Sequence, residues 1–358
     1  MPTRVMLMIG TRKGAFLAFS DQRRRTWELR GPLFKGVEVN HVGFLADPGV
    51  IVATFKSGWW GPGVQTSRDL GETWQELQPG VRFDEGRGRT VERIWIVERA
   101  PDGVWYAGVD PASLFRSDDG GATWHEVPGL NDHPTRDQWS PGAGGLMVHR
   151  VCFDSQRRDR LFVAISAAGV FRSDDGGDTW AAKNKGVRAD FLPDNFPEVG
   201  QCAHSLMAHS QDATVLYQQN HCGVYRSDDA GDAWTDISEG LPARFGFAIA
   251  VHPHNGDTVY VVPEEAAVTR MTPDGAFRVY RSRNRGATWE PLTNGLPQVN
   301  AYQNVLRGAM TTDDLASPAV YVGTQSGHIL VGHEGGNEWE LALGWLPPVY
   351  SLRVASVP

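Results

Sequence analysis

Short hydrophobic runs, bounded by Gly, Pro or Asn, recur along the whole chain. One complete set lies at 247–252 (FAIAVH), 258–262 (TVYVV), 278–282 (RVYRS) and 289–292 (WEPL). Short runs rich in β-branched and aromatic residues between turn residues are typical of strands. The pattern therefore predicts four antiparallel strands per unit, which we label A to D in chain order, and a chain built of such units.

An octapeptide motif links strands C and D of each unit, as in Ser173 to Trp180 (SDDGGDTW). Its Ser and Asp side chains can accept hydrogen bonds from nearby backbone amides, and its Gly supplies a left-handed backbone. The terminal Trp offers a large apolar face for packing. The motif thus predicts a hairpin turn with a packing anchor, and its Asp residues are not interpreted as catalytic. Complete, altered and eroded copies occupy 20–27, 67–74, 117–124, 173–180, 227–234, 282–289 and 332–339.

This motif resembles the Asp-box, or BNR repeat, of sialidases and related β-propellers, a superfamily that also holds WD40-like and YVTN-like repeats. Successive copies lie about 50 residues apart, and a sustained period of this size indicates a repeat architecture. The resemblance implies an all-β, seven-bladed β-propeller of four-stranded antiparallel blades, forming a single ring over residues 1–358. The first unit lacks strand A, so we predict that 349–354 (VYSLRV) completes blade one and closes the ring.

Composition narrows the classes of partner. The net charge is −8, so the chain lacks the basic footprint of a nucleic-acid-binding protein. Three Cys are too few for a disulfide framework. The apolar run at 5–9 is too short for a signal peptide or a membrane span. We expect a cytoplasmic protein that binds a small molecule or glycan and neither nucleic acid nor membrane; the oligomeric state is left open.

The face opposite the Asp-box turns, here called the top face, is the predicted location of the functional site. It carries the B–C and D–A loops, and the D–A loops at 79–92, 128–148 and 184–200 are long. Long loops on a rigid scaffold commonly carry function. The aromatic and polar residues predicted to bind a ligand are Lys13, Trp59, His133, Trp139, Arg150 and Asn220.

Two hydrolytic chemistries are open. Sialidases, by the same resemblance, hold a carboxylate with three Arg and use a Tyr nucleophile backed by Glu, with an Asp acid. The catalytic candidates here are Asp110, Glu198, Tyr302 and Arg93, and the family's Arg-Ile-Pro signature is absent because Arg4 precedes Val-Met. In this sialidase scheme, the Arg residues available to hold the substrate carboxylate are Arg12, Arg93, Arg150, Arg244 and Arg307. The second chemistry is that of a glycosidase that uses two carboxylates.

Histidines near the start of strand A suggest a metal site. His149 opens HRVCFD, His204 opens HSLMAH, and His41 lies close to the same register. Strand A lines the axis, so these imidazoles could converge with His221 on zinc, iron or copper. The alternative is that each ring is an ordinary channel residue hydrogen-bonded to its neighbour.

Pairing within the fifth unit sharpens this prediction. Residues whose numbers add to about 424 should face each other, which places His204 opposite Asn220 and Cys202 opposite Cys222. Neighbouring residues of a strand point to opposite faces. We therefore predict His149, His204 and His221 as ligands, with His41 as a fourth candidate, and neither Cys as a ligand.

These observations predict a small-molecule or glycan-processing propeller with its site on the top face. The alternative is a non-catalytic assembly scaffold of the kind represented by photosystem II stability factors. A deep pocket lined by His, Arg and carboxylates would favour the first function, and a flat patch the second.

Overall fold

A computed structural model describes residues 3–46 and 49–358. It contains seven four-stranded antiparallel sheets, which confirms the predicted seven-bladed propeller. The strands predicted in the sixth unit are confirmed to within one residue at each end. Strand A of each blade contacts strand A of the next, so these strands surround the axis.

The strands of the first four blades are β1 Arg4–Thr11, β2 Gly14–Ser20 and β3 Glu28–Leu33; β4 Glu38–Leu45, β5 Val50–Ser57, β6 Gly61–Ser67 and β7 Gln75–Glu76; β8 Arg93–Arg99, β9 Trp105–Asp110, β10 Ser113–Ser117 and β11 His125–Glu126; and β12 Val148–Phe153, β13 Leu161–Ile165, β14 Gly169–Ser173 and β15 Ala181–Ala182. Those of the last three are β16 Ala203–Ala208, β17 Leu216–Asn220, β18 Gly223–Ser227 and β19 Thr235–Asp236; β20 Gly246–Val251, β21 Val259–Pro263, β22 Val279–Ser282 and β23 Glu290–Leu292; and β24 Met310–Thr312, β25 Val320–Gly323, β26 Ile329–Gly332 and β27 Glu338–Leu343, followed by β28 Val349–Val357.

Helical structure in the described residues is confined to single turns. These are α1 Pro128–Asn131, α2 His333–Gly336, and 3-10 turns at Arg136–Gln138 and Pro273–Gly275. No helix in residues 3–46 and 49–358 has the length and apolar character needed to cross a membrane.

Strand β28 completes blade one, as predicted. The sheet order is β28-β1-β2-β3, and β28 pairs antiparallel with β1 from Arg4 to Thr11. Pairing the last strand with the first removes two open sheet edges, which would otherwise present unpaired backbone groups.

The Asp-box turns have the predicted internal hydrogen bonds. In blade two, Ser67 Oγ donates to Asp69 Oδ1 over 2.8 Å and accepts from the Gly71 amide over 2.9 Å. The Thr73 amide donates to the same Asp69 carboxylate over 2.9 Å. The Trp74 indole then donates to Gly71 O over 3.1 Å, which holds the ring against the turn. The motif is structural, on the face away from the long loops.

Apolar packing lies between blades rather than at the axis. Leu45 of β4 and valines of β5 and β6, for example, form one cluster with residues of β8 and β9 in the next blade. The other clusters likewise join neighbouring blades. The axis is therefore free to carry polar side chains.

A β-bulge near the top of strand A sets which side chains line the axis. In blade five Ala203 pairs with Asn220 and Ser205 with Gln219, so His204 is the extra residue. The predicted pairing of His204 with Asn220 is therefore wrong by one residue. Bulges insert an unpaired residue and redirect its side chain. Further single-residue bulges in strand A fall at Asn40, Trp95 and His149, and at Tyr350 of β28.

Candidate functional site

A narrow cavity lies on the axis where the bulged residues meet. It is lined by the bulged residues Asn40, Trp95, His149 and Tyr350, together with Arg307 before β24. Its volume is only about 30 Å³, so the channel is nearly filled at this level. Ligands can therefore approach from the top face but have little room to enter the axis.

Arginines and aromatic rings alternate across the top of this channel. The Arg93 guanidinium lies 5.0 Å from the Trp95 ring, and that of Arg307 lies 5.7 Å from the same ring. Arg307 is also 5.9 Å from the Phe247 ring, which Arg270 approaches to 5.6 Å. Within the described ranges neither Arg270 nor Arg307 forms an ion pair. These arginines thus place positive charge over the hydrophobic rings of Trp95 and Phe247.

A pocket of about 320 Å³ opens beside these arginines, over blades four to six. Its lining contains no Asp or Glu and is mostly apolar. A predominantly apolar pocket with a few convergent polar groups is the usual form of a small-molecule site. The lining residues are Gly142, Ala143, Gly144, Ser166, Ala167, Phe191, Cys202, His204, His221, Phe245, Phe247, Ala267, Val268, Arg270 and Arg307.

One wall of this pocket brings together Cys202, His204 and His221. One potential ligand atom from each lies within 4.8 Å of the others. Two of the four predicted metal ligands therefore meet here, together with the Cys that the sequence argument set aside. The bulge explains the difference, because it shifts His204 relative to Cys202 and breaks the strict alternation assumed from the sequence.

Aromatic rings fix the two imidazoles. His204 stacks on Phe247 at 4.5 Å and meets Phe245 edge-on at 5.3 Å. His221 contacts Phe245 at 5.2 Å and Phe191 at 4.9 Å. Burial lowers the pKa of His204 and that of His221, so both rings are neutral at physiological pH.

The other two predicted ligands lie outside this group. His149 Nε2 is 2.9 Å from Ala203 O, which occupies that ring nitrogen with the backbone of the next blade. His41 follows the Asn40 bulge, so Asn40 and not His41 is the counterpart of His149. The predicted convergence of His41 and His149 with His204 is therefore wrong, and the channel alternative describes both residues.

A second cluster contains two of the predicted catalytic residues. Arg93 and Asp110 are paired across β8 and β9, and Arg93 Nη2 forms an ion pair with Glu38 Oε1 over 2.9 Å. Burial raises the pKa of Asp110, an effect that Arg93 opposes. Tyr350 lies close to Glu38 and its pKa is raised, mainly by burial. The cluster combines two carboxyl groups, a phenol and a guanidinium beside the axis.

Glu198 and Tyr302 do not join Asp110 in this cluster. Glu198 is exposed on the D–A loop between blades four and five. Tyr302 is 59% exposed on the loop between blades six and seven, whereas Asp110 belongs to blade three. The combination predicted from the sequence is therefore spread around the ring.

Two of the predicted ligand-binding residues are instead packed inside a loop. His133 Nδ1 lies 2.9 Å from Thr135 Oγ1, and the Trp139 indole donates to the same hydroxyl over 3.0 Å. Both rings are buried against Phe171. Their contacts thus support a role in holding the loop between blades three and four in place, and direct binding of a ligand by them stays untested.

The remaining candidates have mixed environments. Asn220 is fully buried, and its Oδ1 accepts a hydrogen bond from the Cys222 amide over 3.2 Å, so it stabilises a turn. Arg150 is buried below the channel mouth, where its Nη2 donates to Ser205 Oγ over 3.3 Å and burial lowers its pKa to about 10. Lys13 and Trp59 are exposed on top-face loops.

Most of the exposed large hydrophobic side chains among the described residues lie on loops of the top face. Trp59 is 89% exposed and Trp60 is 83% exposed in the turn between β5 and β6. Trp345, between β27 and β28, is 95% exposed, and Val268, after β21, is 92% exposed. Such grouping indicates an interaction surface.

Sequence comparison supports the repeat assignment. The family model for the BNR/Asp-box repeat matches residues 115–126, which contain the motif copy of blade three. Seven sheets of four strands, with five well-preserved Asp-box turns, agree with it. The chain is a seven-bladed Asp-box propeller.

Relatives of the propeller include large enzymes. A xyloglucanase of Paenibacillus sp is 26% identical over 261 residues, which are 66% of this chain and 24% of that protein. The propeller therefore spans about a quarter of the length of this relative.

Solved structures show the same fold at lower identity. A GH74 enzyme of Niastella koreensis matches with a TM-score of 0.55 and 16% identity, over 96% of this chain and 58% of that chain. YCF48 bound to D1 peptide matches with a TM-score of 0.51 and 14% identity, over 82% of this chain and 77% of that chain.

Proposed function

We propose that the propeller hydrolyses a glycan on its top face, with the Glu38–Arg93–Asp110 cluster as the catalytic centre. The observation that carries this proposal is that one arginine, Arg93, adjoins two carboxyl groups beside the axis. Arg93 joins Glu38 directly over 2.9 Å and is the strand partner of Asp110. Similarity to xyloglucanases supports the class of substrate.

The two carboxyl groups differ in environment, as acid and base must. Burial raises the pKa of Asp110, so Asp110 is the group suited to give its proton to the departing glycosidic oxygen. Glu38, paired with Arg93, accepts a proton from water as the water oxygen bonds to the anomeric carbon. The glycosidic C–O bond breaks, and the two products carry the added water between them.

Aromatic residues on the same face can hold the sugar rings. Trp95 lies beside Arg93 at the channel mouth, and Trp59 and Trp60 project from the neighbouring blade. Their flat apolar faces complement the axial C–H groups of a pyranose. The hydrolysis scheme uses no metal ion. Separately, the cytoplasmic location of the protein stays a prediction.

A panel of xyloglucan oligosaccharides, sialosides and common aryl glycosides tests the proposal. Turnover should fall roughly 100-fold or more in Asp110→Asn and in Glu38→Gln, because general acid–base groups contribute about that much. Glu85→Gln is the matched control, since Glu85 is an exposed carboxylate on a loop of the same face. Full activity in both cluster variants, or no turnover of any glycoside, would refute the assignment.

Docking of a peptide segment is the second candidate function. The exposed Trp59, Trp60 and Trp345 favour it, because exposed aromatic patches mark interaction surfaces. Peptide-array binding that is lost in Trp59→Ala and Trp60→Ala, with no glycoside turnover, would favour docking over hydrolysis.

A further inference from the structure

We propose that Cys202, His204 and His221 form a zinc site in the wall of the top-face pocket, with the fourth ligand position open to the pocket. This inference is independent of the proposed catalytic centre, because Glu38, Arg93 and Asp110 do not belong to the metal site. It goes beyond hydrolysis by assigning an additional ligand-binding centre to blade five.

The donor atoms are already close. One potential ligand atom from each residue lies within 4.8 Å of the others. His204 Nδ1 is 2.6 Å from Gly246 O, so it donates its proton there and leaves Nε2 as the free donor. Metal-binding histidines usually anchor their second nitrogen in this way. The orientation of His204 is therefore that of a ligand before any metal binds.

The candidate donors have almost no competing partners. In the part of the chain that the structure describes, neither ring nitrogen of His221 forms a hydrogen bond, and nor does Nε2 of His204. The side chain of Cys202 has only a weak contact, with Ser166 Oγ at 3.8 Å. Three donors with so few protein partners, converging in one pocket wall, are available to bind one shared ligand.

The backbone holds the donors in place. The His221 amide donates to Cys202 O over 3.1 Å, which ties the B–C turn to the segment before β16. Phe245 and Phe247 pack on the rings and restrict their rotation. A side-chain carbon added at Gly142 would lie 3.9 Å from Cys202 Sγ, so the sulfur has space in front of it.

The chemistry of the donors selects the metal class. One sulfur and two imidazole nitrogens suit zinc, and three protein ligands with one open position are typical of catalytic zinc sites, whereas structural zinc has four protein ligands. The pocket lining has no carboxylate for a hard cation such as magnesium. Arg270 and Arg307 line the same pocket, so the open position is suited to an anionic oxygen ligand.

Alkylation of the intact protein tests thiol ligation with internal controls. Zinc should slow the reaction of Cys202 with iodoacetamide roughly tenfold or more, since a zinc-bound thiolate is a weaker nucleophile that is shielded by the metal. Cys152 and Cys222, read in the same peptide digest, should be unaffected. Equal reactivity of Cys202 with and without zinc would overturn the proposal.

Cobalt titration identifies the ligands directly. Co²⁺ should produce an absorption band from thiolate-to-metal charge transfer that is lost in Cys202→Ser and retained in Cys222→Ser. His221→Ala should weaken Co²⁺ binding at least tenfold, whereas His149→Ala should not, provided thermal melting shows that both variants are folded. A charge-transfer band that survives Cys202→Ser, or no band in the wild type, would refute the site.

Discussion

The eroded Asp-box of blade one leads to a specific prediction about ring stability. Arg24 occupies the position that is Gly in the five well-preserved copies, and its φ is 59°. Its side chain reaches blade seven, where Nη1 pairs with Asp313 Oδ2 over 2.8 Å. Tyr321 donates to the same oxygen over 2.6 Å, and Arg24 Nη2 donates to Ser317 O over 3.1 Å. The Arg that stands in place of Gly thus forms a buried ion pair between blades one and seven, where the ring closes.

The expected loss of stability follows from the burial of the ion pair. The Arg24 and Asp313 side chains are 8% and 2% exposed, and removing one partner of such a pair costs roughly 3–5 kcal/mol because the other charge remains buried. Arg24→Met should therefore destabilise the protein by about 3–5 kcal/mol. Arg24→Gly should lose about 1 kcal/mol less, because Gly adopts a positive φ without strain.

Urea unfolding of matched variants measures this effect. Arg23→Met is the control, since Arg23 is exposed and its substitution should change the free energy of unfolding by less than about 0.5 kcal/mol. The double variant Arg24→Met/Asp313→Asn should be more stable than the sum of its single effects implies. If Arg24→Met were no more destabilising than Arg23→Met, the Arg24–Asp313 ion pair would not stabilise the closed ring.

Three further outcomes are expected. Burial raises the pKa of Glu264 from 4.5 to about 7, so the folded state holds this proton more tightly and stability should fall by about 3 kcal/mol as pH rises from 4.5 to 7. Urea unfolding at pH 5 and 8 should show this loss in the wild type and not in Glu264→Gln; equal pH dependence would contradict it. Deletion of residues 349–358 should abolish cooperative unfolding, because it removes β28 from blade one, and a truncated protein that melts like the full chain would contradict closure. Trp139→Ala should lower the melting temperature while leaving glycoside turnover per folded molecule within about twofold, since Trp139 is buried and packs the loop; a selective loss of turnover would show direct participation.

The fold could be predicted from the sequence because the interactions that determine it are local. The Ser, Asp or Asn, and Gly of the five well-preserved Asp-boxes make their turn hydrogen bonds within eight residues, so a stretch such as Ser67 to Trp74 already specifies its own turn. The missing first strand A, set against the extra strand β28, then determined how the ring closes.

The site was harder to predict from the sequence because it depends on single-residue shifts in strand register. The bulge at His204 changes which neighbours it meets, and no feature of HSLMAH marks the extra residue. Glu38 and Tyr350 were missed because they come from opposite ends of the chain and meet only after closure. An alignment of the A strands would have found Trp95 and Phe247, which occupy the same level as His149.

The proposed function requires Asp110 to act as the general acid of a glycan hydrolase. The most direct test compares Asp110→Asn with the wild type on glycosides of poor and good leaving groups. If Asp110 is the general acid, Asp110→Asn should lose roughly 100-fold or more in kcat/KM for a sugar leaving group and less than about tenfold for a nitrophenol, which departs without a proton. An equal loss on both substrates, or no loss on either, would contradict it.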